Sequence, residues 1–288
     1  MAASLPSMFR TPEGQARYFA AYEATLALWG APVTPLSVAT RFGPTHVNAC
    51  GPQGAPAVVL LHGAAVSSTM WYPNAGELSR AYRVYAPDII GEMGKSVRTR
   101  PLKKPSEWVE WLVDVLDGLH VPQAHVAGLS LGGHLALQLA HSAPHRVMKL
   151  ILLSPATLLP IRLQFYARIA AAVLAPFLKP ASRQALFLGS ASPHLAPVIR
   201  QLMTPSDFRY EMSFPAVQKD GDLRKVQART LLLLGEREII YSPQAAVKRA
   251  RNLIPRIEAE IIPGAGHAIN LDQPEVVNKR MLAFLDSI

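Results

Sequence analysis

The decisive stretch of the chain is HVAGLSLGGHLALQLAHS, residues 125–142. Its first six residues form an apolar run, which predicts a strand, and the pattern of the remaining residues predicts a helix that follows the strand directly. Ser130 stands at the turn, between Gly128 and Gly132, in the pattern Gly-x-Ser-x-Gly. So sharp a turn strains the backbone and leaves no room for a Cβ on either side. The sequence therefore predicts a tight strand-to-helix turn with Ser130 at its tip.

Further apolar runs extend this pattern in both directions. Strands that are buried on both faces are continuously apolar, and helical segments between them indicate a parallel sheet covered by helices. Such segments occur at residues 105–120 and 131–142, and a closing helix is expected at 274–288. The six runs are residues 57–62, 82–87, 125–130, 148–154, 230–236 and 257–263. We expect an α/β protein with a mostly parallel, doubly wound sheet.

The N-terminal part predicts one helix and a hairpin. Thr11 is a suitable N-cap, Pro12 suits the first helical position, and apolar residues follow at helical spacing. Two short β-like runs, residues 36–40 and 45–50, are separated by Gly43 and a proline, which is typical of a hairpin. The helix is expected to lie on the core as an accessory element.

The alternation of strands and helices stops between residues 155 and 222. This segment is rich in proline and contains helical pieces such as residues 162–174. Because a structureless loop of this length is improbable, a helical insert is predicted. The expected organisation is residues 1–154 as the N-terminal helix and first part of the core, 155–222 as a helical cap, and 223–288 as the second part of the core.

Composition excludes several classes of protein. Half of the 288 residues are hydrophobic, which excludes a disordered chain, and Cys50, the single cysteine, cannot form an internal disulfide. Neither a secretory signal nor an apolar run of the roughly 18 residues that a membrane span needs is found, so a cytoplasmic protein without stable membrane insertion is expected. The net charge of +9 comes from scattered basic residues and is interpreted as a solvated surface, without a nucleic-acid site.

Five segments, in order, resemble the α/β-hydrolase fold superfamily. They are residues 62–64 (HGA), 88–96 (DIIGEMGKS), the Gly-x-Ser-x-Gly turn, 235–238 (GERE) and 264–267 (GAGH). The resemblance extends from about residue 36 to the end. It implies an eight-stranded, mostly parallel sheet with an inserted helical cap, and a catalytic serine, acid and histidine in that chain order.

The resemblance assigns Ser130 as the nucleophile. An alcohol needs a base to take its proton at neutral pH, and His267, in a glycine-rich loop after a strand-like run, is the candidate. The acid that orients this histidine is expected three residues after the TLLLLG run, where Glu238 replaces the more usual aspartate. Glu236 and Asp88 stay open as alternatives.

The resemblance also implies an oxyanion hole formed by the backbone N–H groups of Ala64 and Leu131. Residues 91–96 match a loop that the family uses mainly for structure, and no chemistry is assigned to them. The eight remaining histidines, which include His62, lack the context of His267, and most of them are interpreted as surface or helix-packing residues.

The function that the resemblance implies is a serine hydrolase, a carboxylesterase for short to medium acyl chains that works through an acyl-enzyme. No cofactor and no metal are implied, and the expected partner is a small-molecule ester. The same fold also serves C–C hydrolases, lactonases, perhydrolases and thioesterases, and a slow signalling or ligand-binding module can keep the same residues. Six aromatic residues are expected to give the insert an apolar lining: Phe165, Phe177, Phe187, Phe208, Tyr210 and Phe214.

Overall fold

One eight-stranded sheet forms the centre of the molecule, in the order β1-β2-β4-β3-β5-β6-β7-β8. The computed structural model describes residues 8–174, 189, 192–202 and 216–287. The strands are β1 (Thr34–Thr40), β2 (Gly43–Cys50), β3 (Ala57–Leu61), β4 (Arg83–Pro87), β5 (Ala124–Leu129), β6 (Val147–Leu153), β7 (Arg229–Gly235) and β8 (Ile257–Ile262). All six apolar runs and both runs of the hairpin form strands.

The sheet is parallel except for one strand. β2 runs antiparallel to both of its neighbours, β1 and β4, and every other pair is parallel. The predicted α/β-hydrolase fold class is thereby confirmed. Because parallel strands end at the same edge, the loops after β3, β5, β7 and β8 meet there, which is where open α/β sheets place their ligands.

Helices lie along the sheet and at its edges. Their bounds are α1 (Pro12–Leu26), α2 (Tyr72–Leu78), α3 (Pro105–Gly118), α4 (Leu131–Ser142), α5 (Leu163–Leu174), α6 (Ala196–Leu202), α7 (Asp220–Leu223), α8 (Pro243–Leu253), α9 (Ile269–Asp272) and α10 (Pro274–Asp286). The predicted start of α1 is confirmed, since Thr11 Oγ1 accepts a hydrogen bond from Gly14 N at 3.0 Å. Among the described residues, none of the helices is both long and apolar enough to cross a membrane.

Two apolar cores lie on the two faces of the sheet. Along β3, Val59 and Leu61 belong to one core while Val58 and Leu60 belong to the other, because successive side chains of a strand point to opposite faces. β6 and β7 alternate in the same way. Each fully buried aliphatic side chain contributes about 1.5–3 kcal/mol, so the sheet is a rigid support for the loops at its edge.

The end of β5 agrees with the predicted turn. The apolar run continues through residue 130, whereas the strand ends at Leu129 and leaves Ser130 at the tip of the turn. Ser130 has φ 53° and ψ −111°, which no strand residue adopts. The turn therefore begins at Ser130 itself.

Candidate active site

The elbow, residues 128–133, is a turn so tight that only glycine fits at three of its positions. A Cβ on Gly128 would lie 2.3 Å from the backbone of Gly132, and a Cβ on Gly132 would lie 2.1 Å from the carbonyl oxygen of Leu61. A Cβ on Gly133 would lie 2.9 Å from the Pro155 side chain. The predicted reason for the glycines is thus observed, and Gly132 in addition packs α4 against the end of β3.

Neighbouring backbone holds the strained residue of the elbow in place. Ser130 N donates to the Leu153 carbonyl at 3.0 Å, and the Ser130 carbonyl accepts from Ala156 N at 3.1 Å and from His134 N at 3.0 Å. A non-glycine residue at positive φ persists where its surroundings fix it. The end of β6 and the first turn of α4 together fix Ser130.

A chain of hydrogen bonds joins Ser130 to two buried side chains. His267 Nε2 lies 2.9 Å from Ser130 Oγ, and His267 Nδ1 lies 2.9 and 3.0 Å from the two carboxylate oxygens of Glu238. With the proton on Nδ1, His267 donates to Glu238 and accepts from the Ser130 hydroxyl. The loops after β5, β7 and β8 each supply one of the three residues. His267 thus meets Ser130, which is 137 positions earlier in the chain, and Glu238, which is 29 positions earlier.

The Glu238 carboxylate is charged although it is buried. Burial raises the pKa of this group, but the attraction of His267 and hydrogen bonds from His267 and from Ile240 N bring the pKa below its usual value. The Ile240 N–H donates to Oε1 at 2.9 Å. A carboxylate in this state holds the imidazole in one tautomer and stabilises its protonated form.

The two alternative acids have other partners. Glu236 Oε2 accepts from Gly264 N at 2.9 Å, while the fully buried Asp88 accepts from Ser68 N, the Tyr22 hydroxyl and Lys95 N. Glu236 thus supports the loop that carries His267, and Asp88 ties α1 to the core. Of the three acids, Glu238 is the one bonded to the imidazole.

The loop that carries His267 has a further support that the sequence did not indicate. Asp272 Oδ2 accepts from Gly266 N at 2.6 Å, one residue before the histidine. Together with Glu236 it fixes the backbone on the N-terminal side of His267. An Asp five residues after a histidine is a weak signal in a sequence, because its significance depends on how the intervening loop folds.

The oxyanion loop, residues 62–67, lies beside the elbow. A Cβ on Gly63 would lie 3.7 Å from the Cβ of Ser130, so the backbone of this loop reaches the serine. The next two residues are Ala64, one of the two predicted oxyanion donors, and Ala65, which has φ 59°. Leu131, the other predicted donor, is the first residue of α4, where backbone N–H groups have no acceptor within the helix.

His62 is neither a surface residue nor a helix-packing residue, contrary to the expectation for most of the remaining histidines. It is fully buried, lies 2.7 Å from the Gly63 carbonyl through Nδ1, and accepts from Ile89 N at 2.8 Å through Nε2. Burial lowers its pKa and so favours the neutral ring. Because Nε2 accepts from Ile89 N, the proton lies on Nδ1, which donates to the Gly63 carbonyl. His62 thereby fixes the turn that precedes Ala64.

Little of the predicted aromatic lining can be located. Phe165 is buried in α5, whereas Phe177, Phe187, Phe208, Tyr210 and Phe214 lie outside the described residues. Arg162 N, next to α5, donates to the Ile240 carbonyl at 2.8 Å, which connects the insert to the loop of Glu238. Within the described ranges, no three His, Cys, Asp or Glu side chains group together as metal ligands.

Known proteins resemble this chain over most of its length. A model of the alpha/beta hydrolase family matches residues 58–280. Carboxylesterase YbfK of Bacillus subtilis (strain 168) is 37% identical over 96% of this chain and 96% of its own, and the protein named uncharacterized carboxylesterase nap, from the same organism, is 39% identical over 94% and 93%. The crystal structure of naproxen esterase (carboxylesterase NP) from Bacillus subtilis superposes with a TM-score of 0.86 at 37% identity, covering 96% of this chain and 100% of that one.

Proposed function

Because the chain belongs to the alpha/beta hydrolase family, we propose that it is a serine hydrolase that cleaves carboxylic esters, with Ser130, His267 and Glu238 as its catalytic residues. The observation that carries the proposal is the unbroken hydrogen-bonded chain from Ser130 Oγ through His267 to Glu238. The names of the relatives bear out the carboxylic-ester hydrolase that the sequence predicts. The roles of individual residues are our assignment.

Acylation begins with attack of Ser130 Oγ on the ester carbonyl carbon. A bond forms between these atoms as His267 Nε2, 2.9 Å away, takes the hydroxyl proton, and the carbonyl oxygen becomes an oxyanion. Collapse of the tetrahedral intermediate breaks the bond to the alcohol oxygen. The imidazolium returns its proton to that oxygen, so the alcohol leaves neutral and an acyl-Ser130 ester remains.

Deacylation repeats these steps with water. His267 takes one proton from water as the water oxygen attacks the acyl carbon, and the second intermediate collapses by breaking the bond to Ser130 Oγ. The proton on Nε2 goes to the serine, and the carboxylic acid is released. Glu238 stabilises the imidazolium in both halves without being protonated, in keeping with its lowered pKa.

The oxyanion of both intermediates is stabilised by the backbone N–H groups of Ala64 and Leu131. Leu131 contributes in addition as the first residue of α4, because the N-terminus of a helix favours negative charge. Donors fixed in advance need no reorganisation during the reaction, and one such donor contributes about 10²–10³-fold to kcat in a serine protease.

The segment 155–222 is the cap of this enzyme and determines the substrate. Support comes from the contact of Arg162 with the loop of Glu238, and from Phe165, which shares an apolar core with Ile239 and Ile240. Apolar residues next to the acid suit an acyl chain, and a short to medium chain length is part of the proposal. A cytoplasmic location is part of the proposal and rests on the sequence alone.

The test is turnover of p-nitrophenyl esters of increasing acyl length by the wild type and by Ser130→Ala. We expect fast turnover with an optimum at short to medium chains, and a variant that retains less than a few per cent of it while its circular dichroism is unchanged. Ser142→Ala, at an exposed serine of the same helix, is the matched control. Equal turnover in the wild type and Ser130→Ala would refute the nucleophile, and stoichiometric acylation without release would indicate a binding module instead.

A further inference from the structure

Glu92 connects the loop after β4 to the oxyanion loop. Its Oε2 accepts a hydrogen bond from Ala65 N at 2.8 Å, although the two residues are 27 positions apart in the chain. The Glu92 side chain is half-buried, and its own backbone N–H donates to the Ile89 carbonyl at 3.0 Å, which closes a turn. The carboxylate is thus carried on a short, internally bonded turn that faces the residue after Ala64.

The residue that Glu92 holds is strained. Ala65 has φ 59°, a left-handed conformation in which the Cβ of an L-residue lies too close to the following carbonyl oxygen. Such a conformation persists where the surrounding structure fixes it. The hydrogen bond from Ala65 N to the side-chain oxygen of Glu92 opposes this strain, because it is lost when Ala65 leaves the left-handed conformation.

Two contacts on either side of Ala64 fix the direction of its N–H. His62 holds the Gly63 carbonyl, which lies in the same planar peptide unit as the Ala64 N–H. Glu92 holds the Ala65 N–H, which belongs to the next peptide unit. With both peptide planes held, neither dihedral angle of Ala64 is free to change.

We propose that Glu92 is a positioning residue for the oxyanion hole, whose carboxylate keeps the strained Ala65 in place and so keeps the Ala64 N–H directed at the oxyanion. The inference rests on the proposed function, because it presupposes that an oxyanion forms beside Ser130. Glu92 does not itself contact the reacting atoms. Its effect therefore belongs to stabilisation of the tetrahedral intermediates rather than to binding of the ester.

The test compares three substitutions of Glu92. Glu92→Gln keeps an acceptor at the same distance, Glu92→Met keeps the length but removes the acceptor, and Glu92→Asp keeps the charge but draws it back by one methylene. We expect Glu92→Gln to retain most of the activity, and the other two to lower kcat about tenfold with KM changed less than about twofold, since the donor is misdirected rather than lost. Glu107→Met, which removes a carboxylate bonded to Lys104 N at the start of α3, controls for loss of a buttressing glutamate away from the site.

A second readout separates positioning of the donor from a merely structural role. A trifluoromethyl ketone adds to the nucleophilic serine as a hemiketal whose oxyanion occupies the hole. Its inhibition constant should therefore rise by the same factor as kcat falls in Glu92→Met and Glu92→Asp. Neither quantity should change in Glu107→Met, even where thermal stability decreases.

The outcomes distinguish this inference from the function on which it rests. If Glu92→Met and Glu92→Asp match the wild type in kcat and inhibitor affinity, or if KM alone changes, the inference is refuted while the esterase assignment stands. If Glu92→Met does not fold, Glu92→Asp against Glu92→Gln decides by the same criteria. If the wild type has no turnover that Ser130→Ala abolishes, the proposed function fails instead.

Discussion

The elbow and the oxyanion loop each hold one non-glycine residue at positive φ, Ser130 at 53° and Ala65 at 59°, but they do so by different means. The elbow is fixed by packing, because the glycines around Ser130 lie against backbone at distances that exclude any side chain. The oxyanion loop is fixed by hydrogen bonds to two polar side chains. His62 bonds to the Gly63 carbonyl, and Glu92 accepts from the N–H of the strained Ala65. The packing at the elbow requires glycine at fixed positions, whereas the hydrogen bonds of the oxyanion loop require only a suitable side chain within reach.

This difference in how the two regions are fixed explains why the sequence predicts the elbow but not the contacts of the oxyanion loop. A close backbone approach requires glycine at fixed spacing, so the elbow appears as Gly-x-Ser-x-Gly. A backbone N–H donates to any suitably placed acceptor, so a loop held by such hydrogen bonds needs no particular sequence pattern. The loop of Glu238 is of the second kind, since Ile240 N and His267 hold its carboxylate and Glu236 holds the neighbouring Gly264.

The variant with the largest expected effect is Glu238→Gln, which tests a region that is fixed by side-chain hydrogen bonds. Replacing the carboxylate by an amide keeps the size but removes the charge that stabilises the imidazolium, and the corresponding change in a serine protease lowers kcat about 10⁴-fold. We expect a loss approaching this size in kcat, with KM comparatively unchanged, in steady-state assays on one ester.

Glu236→Gln is the matched control for that variant. The amide oxygen of glutamine still accepts from Gly264 N, so kcat should stay close to the wild-type value. A crippled Glu236→Gln beside an active Glu238→Gln would place the acid two residues earlier. Two active variants would require another carboxylate, with Asp88 next to be tested.

The second prediction concerns Gly132→Ala, which tests whether close packing fixes the elbow. The new Cβ would lie 2.1 Å from the Leu61 carbonyl oxygen and 2.6 Å from that of His62, so α4 must move away from β3. A shift of about 1 Å between reacting groups costs on the order of 10²-fold in rate, and overpacking costs about 1–3 kcal/mol of stability. We expect both losses together, measured as kcat and as the free energy of unfolding in urea.

Gly221→Ala supplies the control for adding a methyl group to a glycine. Its Cβ would meet no atom within 4 Å, and the residue lies in the helix α7, so stability should be unchanged or rise by up to about 1 kcal/mol. If Gly132→Ala behaves like Gly221→Ala, packing does not fix the elbow and the contrast with the oxyanion loop is wrong.

The same contrast explains how much of the fold and of the site can be predicted from the sequence. The strands followed from continuous apolar runs, since burial on both faces leaves a direct trace in composition, and the turn at Ser130 followed from its glycines. The pairing of Ser130, His267 and Glu238 came from resemblance to a family rather than from spacing. His62, Glu92 and Asp272 went unrecognised because each acts on a backbone group of a loop whose path the sequence does not specify. The aromatic residues proposed to line the cap lie, apart from Phe165, outside the described residues.

The smallest expected effect concerns His134, a buried histidine in the helix that follows Ser130. His134 lies one turn into α4, is buried, and contacts Thr157 Oγ1 at 2.9 Å and Gln218 Nε2 at 3.0 Å. Burial, with a smaller contribution from the nearby His141, lowers the pKa of His134 from 6.5 to about 4. Between these values the unfolded chain binds a proton that the folded protein excludes, so stability is lost as the pH falls from about 6.5 to 4 and no further below.

His134→Gln removes this titration while keeping a polar side chain that can bond to Thr157. Its free energy of unfolding should fall less steeply than that of the wild type between pH 6.5 and 4, and the difference accumulated over this window should be on the order of 3 kcal/mol at most. The measurement is urea denaturation at half-unit steps of pH, with Gly221→Ala, whose Cβ meets no atom within 4 Å, as a variant whose curve should run parallel to the wild type. Parallel curves for His134→Gln and the wild type would mean that the folded protein does not keep this histidine neutral.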